Sequence, residues 1–233
     1  MKQTPHIKGS AVIEGTSIFS QLDLTLTPQS WTCLLGISGV GKSTVLRLFA
    51  GLAEGITFTG NLKNPNRVAM MAQQDLLLPW LNVMDNVLVG ARLRGDRPDT
   101  NRARDRLAQV GLVDHAGKLP SALSGGQRQR VALARTLMED RSVVLLDEPF
   151  SALDALTRAQ MQELTAELLS GRTVLLVTHD PNEAARLGQT ILVMTPSGLV
   201  DIAAPATPIP RDISAPDVLR TQTDLFEHLR RPT

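Results

Sequence analysis

A single cysteine, Cys33, stands among the 233 residues, so no internal disulfide can form. It falls inside the apolar stretch Trp31–Leu35, where a buried, unreactive thiol is expected. An excess of one charge is also lacking. Lys plus Arg is 24 against 23 Asp plus Glu, which gives no electrostatic footprint for non-specific nucleic-acid binding. No apolar run approaches the ~18 residues of a membrane span, and Met1–Gly9 has no signal-like apolar stretch. The expected location is therefore cytosolic, with membrane association only through a partner. Tyrosine is absent, and there is no internal repeat and no low-complexity tract. The length suffices for one sizeable core with a subdomain.

What is present is organised around Gly36-Ile37-Ser38-Gly39-Val40-Gly41-Lys42-Ser43-Thr44, a glycine, four residues, then Gly-Lys-Ser. The apolar run Trp31–Leu35 before it reads as a buried strand, and Val45–Leu52 after it reads as a helix. Strand, glycine loop and helix are the context this phosphate-loop pattern requires. Glycines allow successive backbone N–H groups to turn inward around phosphate oxygens, and a helix N-terminus adds partial positive charge. Lys42 would reach the β- and γ-phosphates, and the Ser43 hydroxyl would bind Mg²⁺.

Around this loop the chain is expected to fold in a definite order. Ile18–Leu26 alternates Ile18, Ser20, Leu22, Leu24 and Leu26 on one face, a half-buried strand pattern that suggests an antiparallel β region at the front. Ile56–Thr59 and Val68–Ala72 read as strands, the second leading into Gln73-Gln74-Asp75. In open parallel sheets ligands bind beyond the C-terminal strand ends, which directs Gln73 toward the phosphate site. Helical spacing follows Pro79-Trp80, and Thr100 is the expected N-cap of a helix carrying Arg102, Arg104 and Arg106, read as a solvated face. Residues 75–135 thus form a helical insertion. Within it Leu123-Ser124-Gly125-Gly126-Gln127 opens the helix Arg128–Leu137. Ser124 can cap, and the glycines expose N–H groups as a second anion site or as an ordinary capped start.

Val143–Leu146 is a strand buried on both faces, followed by Asp147 and Glu148. Asp147 would hold Mg²⁺, which prefers few carboxylates plus phosphate oxygens, and Glu148 would orient or deprotonate an attacking water. Ser151–Asp154 leads into a helix through Leu169, and Thr173–Val177 is a further buried strand ending at His179. Ile191–Met194 supplies another strand. Pro196–Pro216 reads as an extended proline-rich connection, and Leu219, Leu225, Phe226 and Leu229 as one closing helix packed on the body.

Gly36–Thr44, Gln73, Leu123–Gln127, Val143–Glu148, Ser151–Asp154 and His179 stand in the order and spacing of an ABC-type ATPase subunit, and the resemblance covers nearly the whole chain. It implies an α/β P-loop NTPase core with a mostly parallel sheet, an N-terminal antiparallel region and an inserted helical subdomain, within a single ATPase domain spanning 1–233. It implies ATP and Mg²⁺ as cofactors. The nucleotide contacts would be Gly36, Ser38, Gly39, Val40, Gly41, Lys42, Ser43 and Thr44 of the Walker A loop, Ser124, Gly125, Gly126 and Gln127 of the signature motif, and Asp154 of the D-loop. Ser43, Gln73 and Asp147 would serve the metal, and Glu148, His179 and Gln73 the catalysis. The implied partners are a second copy of the chain in a head-to-tail dimer, transmembrane permease subunits and, indirectly, a substrate-binding protein, with no nucleic acid. The place would be the cytoplasmic face of the inner or plasma membrane, as a peripheral subunit. Leu77–Val83 resembles the branch serving nitrate, sulfonate and taurine importers, which also contains pyrimidine-precursor importers. A soluble ABC ATPase of DNA or ribosome maintenance is the competing class, disfavoured by the short insertion and the flat charge. Two departures stand out. Ile37 replaces the usual proline, and an aromatic to stack on adenine is not obvious upstream, since Phe19 lies late and within a strand pattern and Trp31 begins the buried strand, so Ile13 or a neighbouring aliphatic is expected to face the base. No regulatory domain fits after Leu199.

Overall fold

A computed structural model describes residues 4–64 and 67–230. In chain order it runs β1 (His6–Ile13), β2 (Thr16–Thr25), β3 (Trp31–Leu35), α1 (Lys42–Phe49), β4 (Ile56–Lys63) and β5 (Ala69–Met71). Then come α2 (Val83–Leu93), α3 (Thr100–Gln109), α4 (Gly125–Met138), β6 (Val143–Asp147), α5 (Ala155–Leu168) and β7 (Thr173–Thr178). The chain closes with α6 (Pro181–Leu187), β8 (Thr190–Thr195), β9 (Gly198–Ile202) and α7 (Pro216–Arg230). Two compact units result. A core unit takes in the chain through Val68, Ser142–Glu148, and everything from Leu169 onward; a helical unit takes in Ala69–Arg141 and Pro149–Leu168.

In the core unit β6, β7, β3 and β8 lie side by side in that order and run parallel, with β9 added antiparallel at the edge. β3 and β7 are buried at every position and β6 at all but its last, which is why they read as unbroken apolar runs. A parallel arrangement brings the C-terminal ends of β3, β6 and β7 to one edge of the sheet. The glycine loop leaves from β3, Asp147-Glu148 from β6, and His179 from β7. The antiparallel front region is a three-stranded sheet, β2-β1-β4.

Four local expectations need correction. Along β2 and just past it, Leu22, Leu24 and Leu26 are buried as the alternation requires, but Ser20 is exposed and Phe19 is buried instead. The register against β1 slips between Gly9↔Leu22 and Ala11↔Phe19, a bulge that inserts one residue and reverses the facing of what precedes it. The cap of α3 is Asp99, whose carboxylate accepts from the Arg102 N–H at 2.9 Å, and Thr100 is the first helical residue. Asp one position upstream is as good an acceptor and meets the donor directly. The stretch after Pro196 is not wholly an extended connection, because Gly198–Ile202 folds back on β8 as a strand. Finally, α7 packs through Val218, Thr221 and Leu225, while Leu219 and Phe226 face outward.

The proline-rich segment beyond β9 is held by Arg211. Its guanidinium donates to the carbonyls of Pro205, Thr207, Ala185 and Gly188 at 2.7–2.8 Å, so a buried cation is satisfied by backbone alone. In the helical unit α2, α3 and α4 pack together, and α4 packs on α5. Buried Val83, Val87, Leu107, Val131 and Met161 supply the apolar faces. No helix among the described residues is long and apolar enough to cross a membrane.

Candidate functional site

The core unit gathers the charged groups. α1 begins at Lys42 behind Gly41, which sits at φ +108° and offers no side-chain cap. By contrast α2, α3, α4 and α6 are each capped by a side chain: Asn82, Asp99, Ser124 and Asp180. The first-turn N–H groups of α1 therefore remain available to an anion. Gly41 cannot be replaced: a Cβ there would lie 2.6 Å from Ile18 Cγ2 and 3.1 Å from Met194 Cε. Ile18 and Met194 thus floor the loop, a contact between distant stretches that no local signal announces.

Lys42 is 5% exposed, and its ammonium donates to the carbonyls of Gly36 at 2.7 Å and Ile37 at 3.0 Å. Burial pulls its pKa down, opposed by the nearby carboxylates Glu148 and Asp147. Ile37, in the place of the usual proline, is half exposed and contributes its carbonyl, which a proline would also supply. Ser43 Oγ donates to Asp147 Oδ1 at 3.4 Å. Burial, with the charge of Glu148, holds the Asp147 pKa above the ordinary carboxylate range, while Ser43 and Lys42 work against that. One carboxylate and one hydroxyl are hard oxygen donors in the small number that Mg²⁺ takes from a protein when phosphate oxygens and water complete its shell.

Glu148 has φ +44°, the left-handed region that a non-glycine residue enters at a cost of about 1 kcal/mol or more. Its N–H is fixed to the Val177 carbonyl at 2.9 Å, and its Oε2 is hydrogen-bonded with His179 Nδ1 at 3.0 Å. The strained backbone and the histidine together fix a carboxylate at the end of a buried strand. Lys42, Ser43, Asp147, Glu148 and His179, assigned from the sequence, thus converge at one edge of one sheet.

The remaining sequence-assigned residues belong to the helical unit. Ser124 caps α4: its Oγ accepts from the Gln127 N–H at 3.2 Å, while Gln127 Oε1 accepts from the Ser124 N–H at 2.9 Å. This capping box leaves the N–H groups of Gly125 and Gly126 as the open donors of the first turn. Gln127 is held further by Nε2 against His115 Nε2 at 3.2 Å, so its amide is engaged within the chain. Gln73 is exposed, and its carbonyl accepts from Gln129 Nε2 at 3.2 Å. The loop that follows is tied to α4, with Arg128 bridging to Asp75 at 3.0 Å and Arg135 donating to the carbonyls of Asp75 and Leu76 at 2.6 and 2.8 Å. A cavity of about 800 Å³ is lined by this loop, by Gly125, Arg128 and Gln129, and by Ser151–Leu153. Asp154 caps α5, accepting from the Thr157 N–H at 3.1 Å.

Ile13 closes the antiparallel front region, paired with Thr16 and Ile56, and is half-buried. Trp31 and Cys33 are core, as expected, and burial pushes the Cys33 thiol pKa well up. Trp80 is 72% exposed.

Comparison with known proteins agrees with this geometry. Residues 19–151 match the family described as ABC transporter. An uncharacterised ABC transporter ATP-binding protein of Haemophilus influenzae is 45% identical, over 94% of this chain and 95% of its own length. Aliphatic sulfonates import ATP-binding proteins are similar too. SsuB 1 of Rhodococcus jostii is 47% identical over 79% of this chain and 76% of its own length. SsuB 2 of Paracoccus denitrificans is 42% identical over 91% and 85%. Among solved structures, cbiO1 from Clostridium perfringens, part of the ABC transporter complex cbiONQ, superposes with a TM-score of 0.72 at 23% identity, over 86% of this chain and 88% of that one. A metal-chelate type ABC transporter in an inward-facing conformation gives 0.75 at 24% identity, over 96% and 90%. The nucleotide loop, the two carboxylates, the capped glycine helix and these likenesses lead to one assignment: the chain belongs to the ABC transporter family, as an ATP-binding subunit that hydrolyses ATP.

Proposed function

We propose that the chain energises a membrane importer of a small solute, in the class that includes sulfonates, nitrate, taurine and pyrimidine precursors, from the cytoplasmic face of the membrane. The observation that carries the site is a helix start without a side-chain cap, α1, with a buried lysine beside two carboxylates. Phosphate oxygens take the N–H groups of Gly39–Thr44 and the Lys42 ammonium, which exchanges its backbone carbonyl partners for them. Ser43 and Asp147 would hold Mg²⁺, and the metal would supply charge neutralisation at the phosphates. Glu148 accepts a hydrogen bond from the attacking water and, through its strained backbone and His179, is held in one orientation for that task. Ser124 and the open N–H groups of Gly125 and Gly126, with Asp154, serve a nucleotide bound by a second copy, which makes the working unit a head-to-tail dimer of one ATPase domain per chain.

Coupling to the permease runs through the loop after Gln73. Leu76 is 57% exposed and Trp80 72%, while Arg135 and Arg128 anchor the same loop to the signature helix. An apolar pair on an anchored loop is suited to cover by a partner. The test uses the two tryptophans of the chain. Trp31 is 3% exposed, so collisional quenching by iodide reports Trp80. Quenching should fall when detergent-solubilised permease is added to the subunit, and the two should co-purify. Unchanged quenching in a mixture that hydrolyses ATP would contradict docking at this loop.

A further inference from the structure

The second glycine of the signature motif packs against a residue of α5. A Cβ on Gly126 would lie 2.6 Å from Thr157 Cγ2, but 3.9 Å and 4.0 Å from Thr157 Cβ and Oγ1. The methyl group alone therefore fills the space that a side chain at position 126 would need. The other branch of Thr157 faces Asp154. The Asp154 carboxylate accepts from the Thr157 backbone N–H at 3.1 Å, and the Thr157 hydroxyl also donates to it. These bonds hold the Asp154 pKa below the ordinary carboxylate range, so the group stays ionised as an acceptor. The loop before it is closed by Leu153 N–H to the Phe150 carbonyl and by Arg158 to the Leu153 carbonyl. The start of α4 and the start of α5 are thus keyed to each other by one β-branched side chain, with the stiff χ1 typical of its class.

We infer that Thr157 is a positioning residue of the ATPase reaction, its methyl setting the seat of Gly126 and its hydroxyl the orientation of Asp154, so that the signature and D-loop groups reach the nucleotide as one rigid pair. This rests on the proposal that both groups act on a nucleotide held by the second copy. Serine would keep the hydroxyl and lose the methyl. Valine would keep the methyl and lose the hydroxyl.

The experiment uses the full chain, in four variants beside the parent: Gly126→Ala, Thr157→Ser, the double variant, and Thr157→Val. Hydrolysis is measured by phosphate release, and binding at the Lys42 loop with a fluorescent ATP analogue. Gly126→Ala should lower kcat roughly tenfold to a hundredfold, the scale of an ångström-sized misplacement, with analogue binding unchanged. Adding Thr157→Ser should restore most of the rate, because only contacts of 3.9 Å and beyond remain. Thr157→Val should lower kcat more than Thr157→Ser, again without loss of analogue binding. If Gly126→Ala is equally impaired with and without Thr157→Ser, or if Thr157→Val keeps the parental kcat, the role of Thr157 is overturned. A parental rate in Gly126→Ala would instead overturn the action of the signature motif on which the inference rests.

Discussion

Two glycine-rich helix starts, one in each unit, look alike in the sequence and differ in how their first turns are satisfied. α1 follows a left-handed glycine, has no side-chain cap, and carries a buried lysine at its first position. α4 is closed by a capping box, Ser124 with Gln127, that leaves only two backbone donors open. The first is built to bind an anion by itself. The second already satisfies two of its terminal donors within the chain, the N–H groups of Ser124 and Gln127. On the proposed function, one chain would suffice to bind nucleotide, and a second set of donors would be needed for turnover.

The largest break in the comparison is Ser124→Arg. It removes the cap and puts a long cation where the two open N–H groups face out. Hydrolysis should be lost while binding of a fluorescent ATP analogue at α1 is retained, and parallel loss of both would show that the two starts are not separable. Next in size is Glu148→Gln, which keeps shape and loses the carboxylate. Turnover should drop by ~10²–10⁴, the range for a general base or water-orienting group, as read by phosphate release. Base discrimination should be a smaller effect. With no tyrosine in the chain and Ile13 as the expected base neighbour, phosphates would supply most of the affinity. GTP should then compete within about tenfold of ATP, ~1.4 kcal/mol, in a displacement titration. A preference of several hundredfold would place another residue at the base.

The smallest effect is on stability. Asp147 has a folded-state pKa above the ordinary carboxylate value, chiefly from burial. Its contribution to stability is therefore fully present below the unfolded-state pKa and is lost as pH rises through the folded one. Asp147→Asn removes that dependence. The parent should lose melting temperature relative to Asp147→Asn as pH rises across the window just above the ordinary carboxylate range, and a pH-independent difference would contradict the shift.

Much of this was legible because it is local. Buried parallel strands announce themselves as apolar runs, and Lys42, Ser43, Asp147, Glu148 and His179 lie at or just beyond the ends of three of them, so β3, β6 and β7 could be placed with their loops. The Ser124–Gln127 box is a four-residue pattern. What escaped depends on register or on distant contacts. The bulge in β2 turns Phe19 inward, because one extra residue reverses an alternation that has no other marker. Asp99 rather than Thr100 caps α3, a choice between two adjacent capping residues of which the aspartate is the better. β9 was hidden by flanking prolines and forms only because β8 offers an edge. Ile18 and Met194 beneath Gly41, and Thr157 against Gly126, are packings between residues far apart in the chain, visible only once the backbone is in place.

The central claim is that the open start and the capped start act on one nucleotide from two copies. It is tested most directly by sedimentation of Glu148→Gln with ATP, alone and combined with Ser124→Arg. The Glu148→Gln chain should become dimeric on adding ATP and Mg²⁺, and the combined variant should stay monomeric while still binding the fluorescent analogue. An ATP-driven dimer that survives Ser124→Arg would contradict the account.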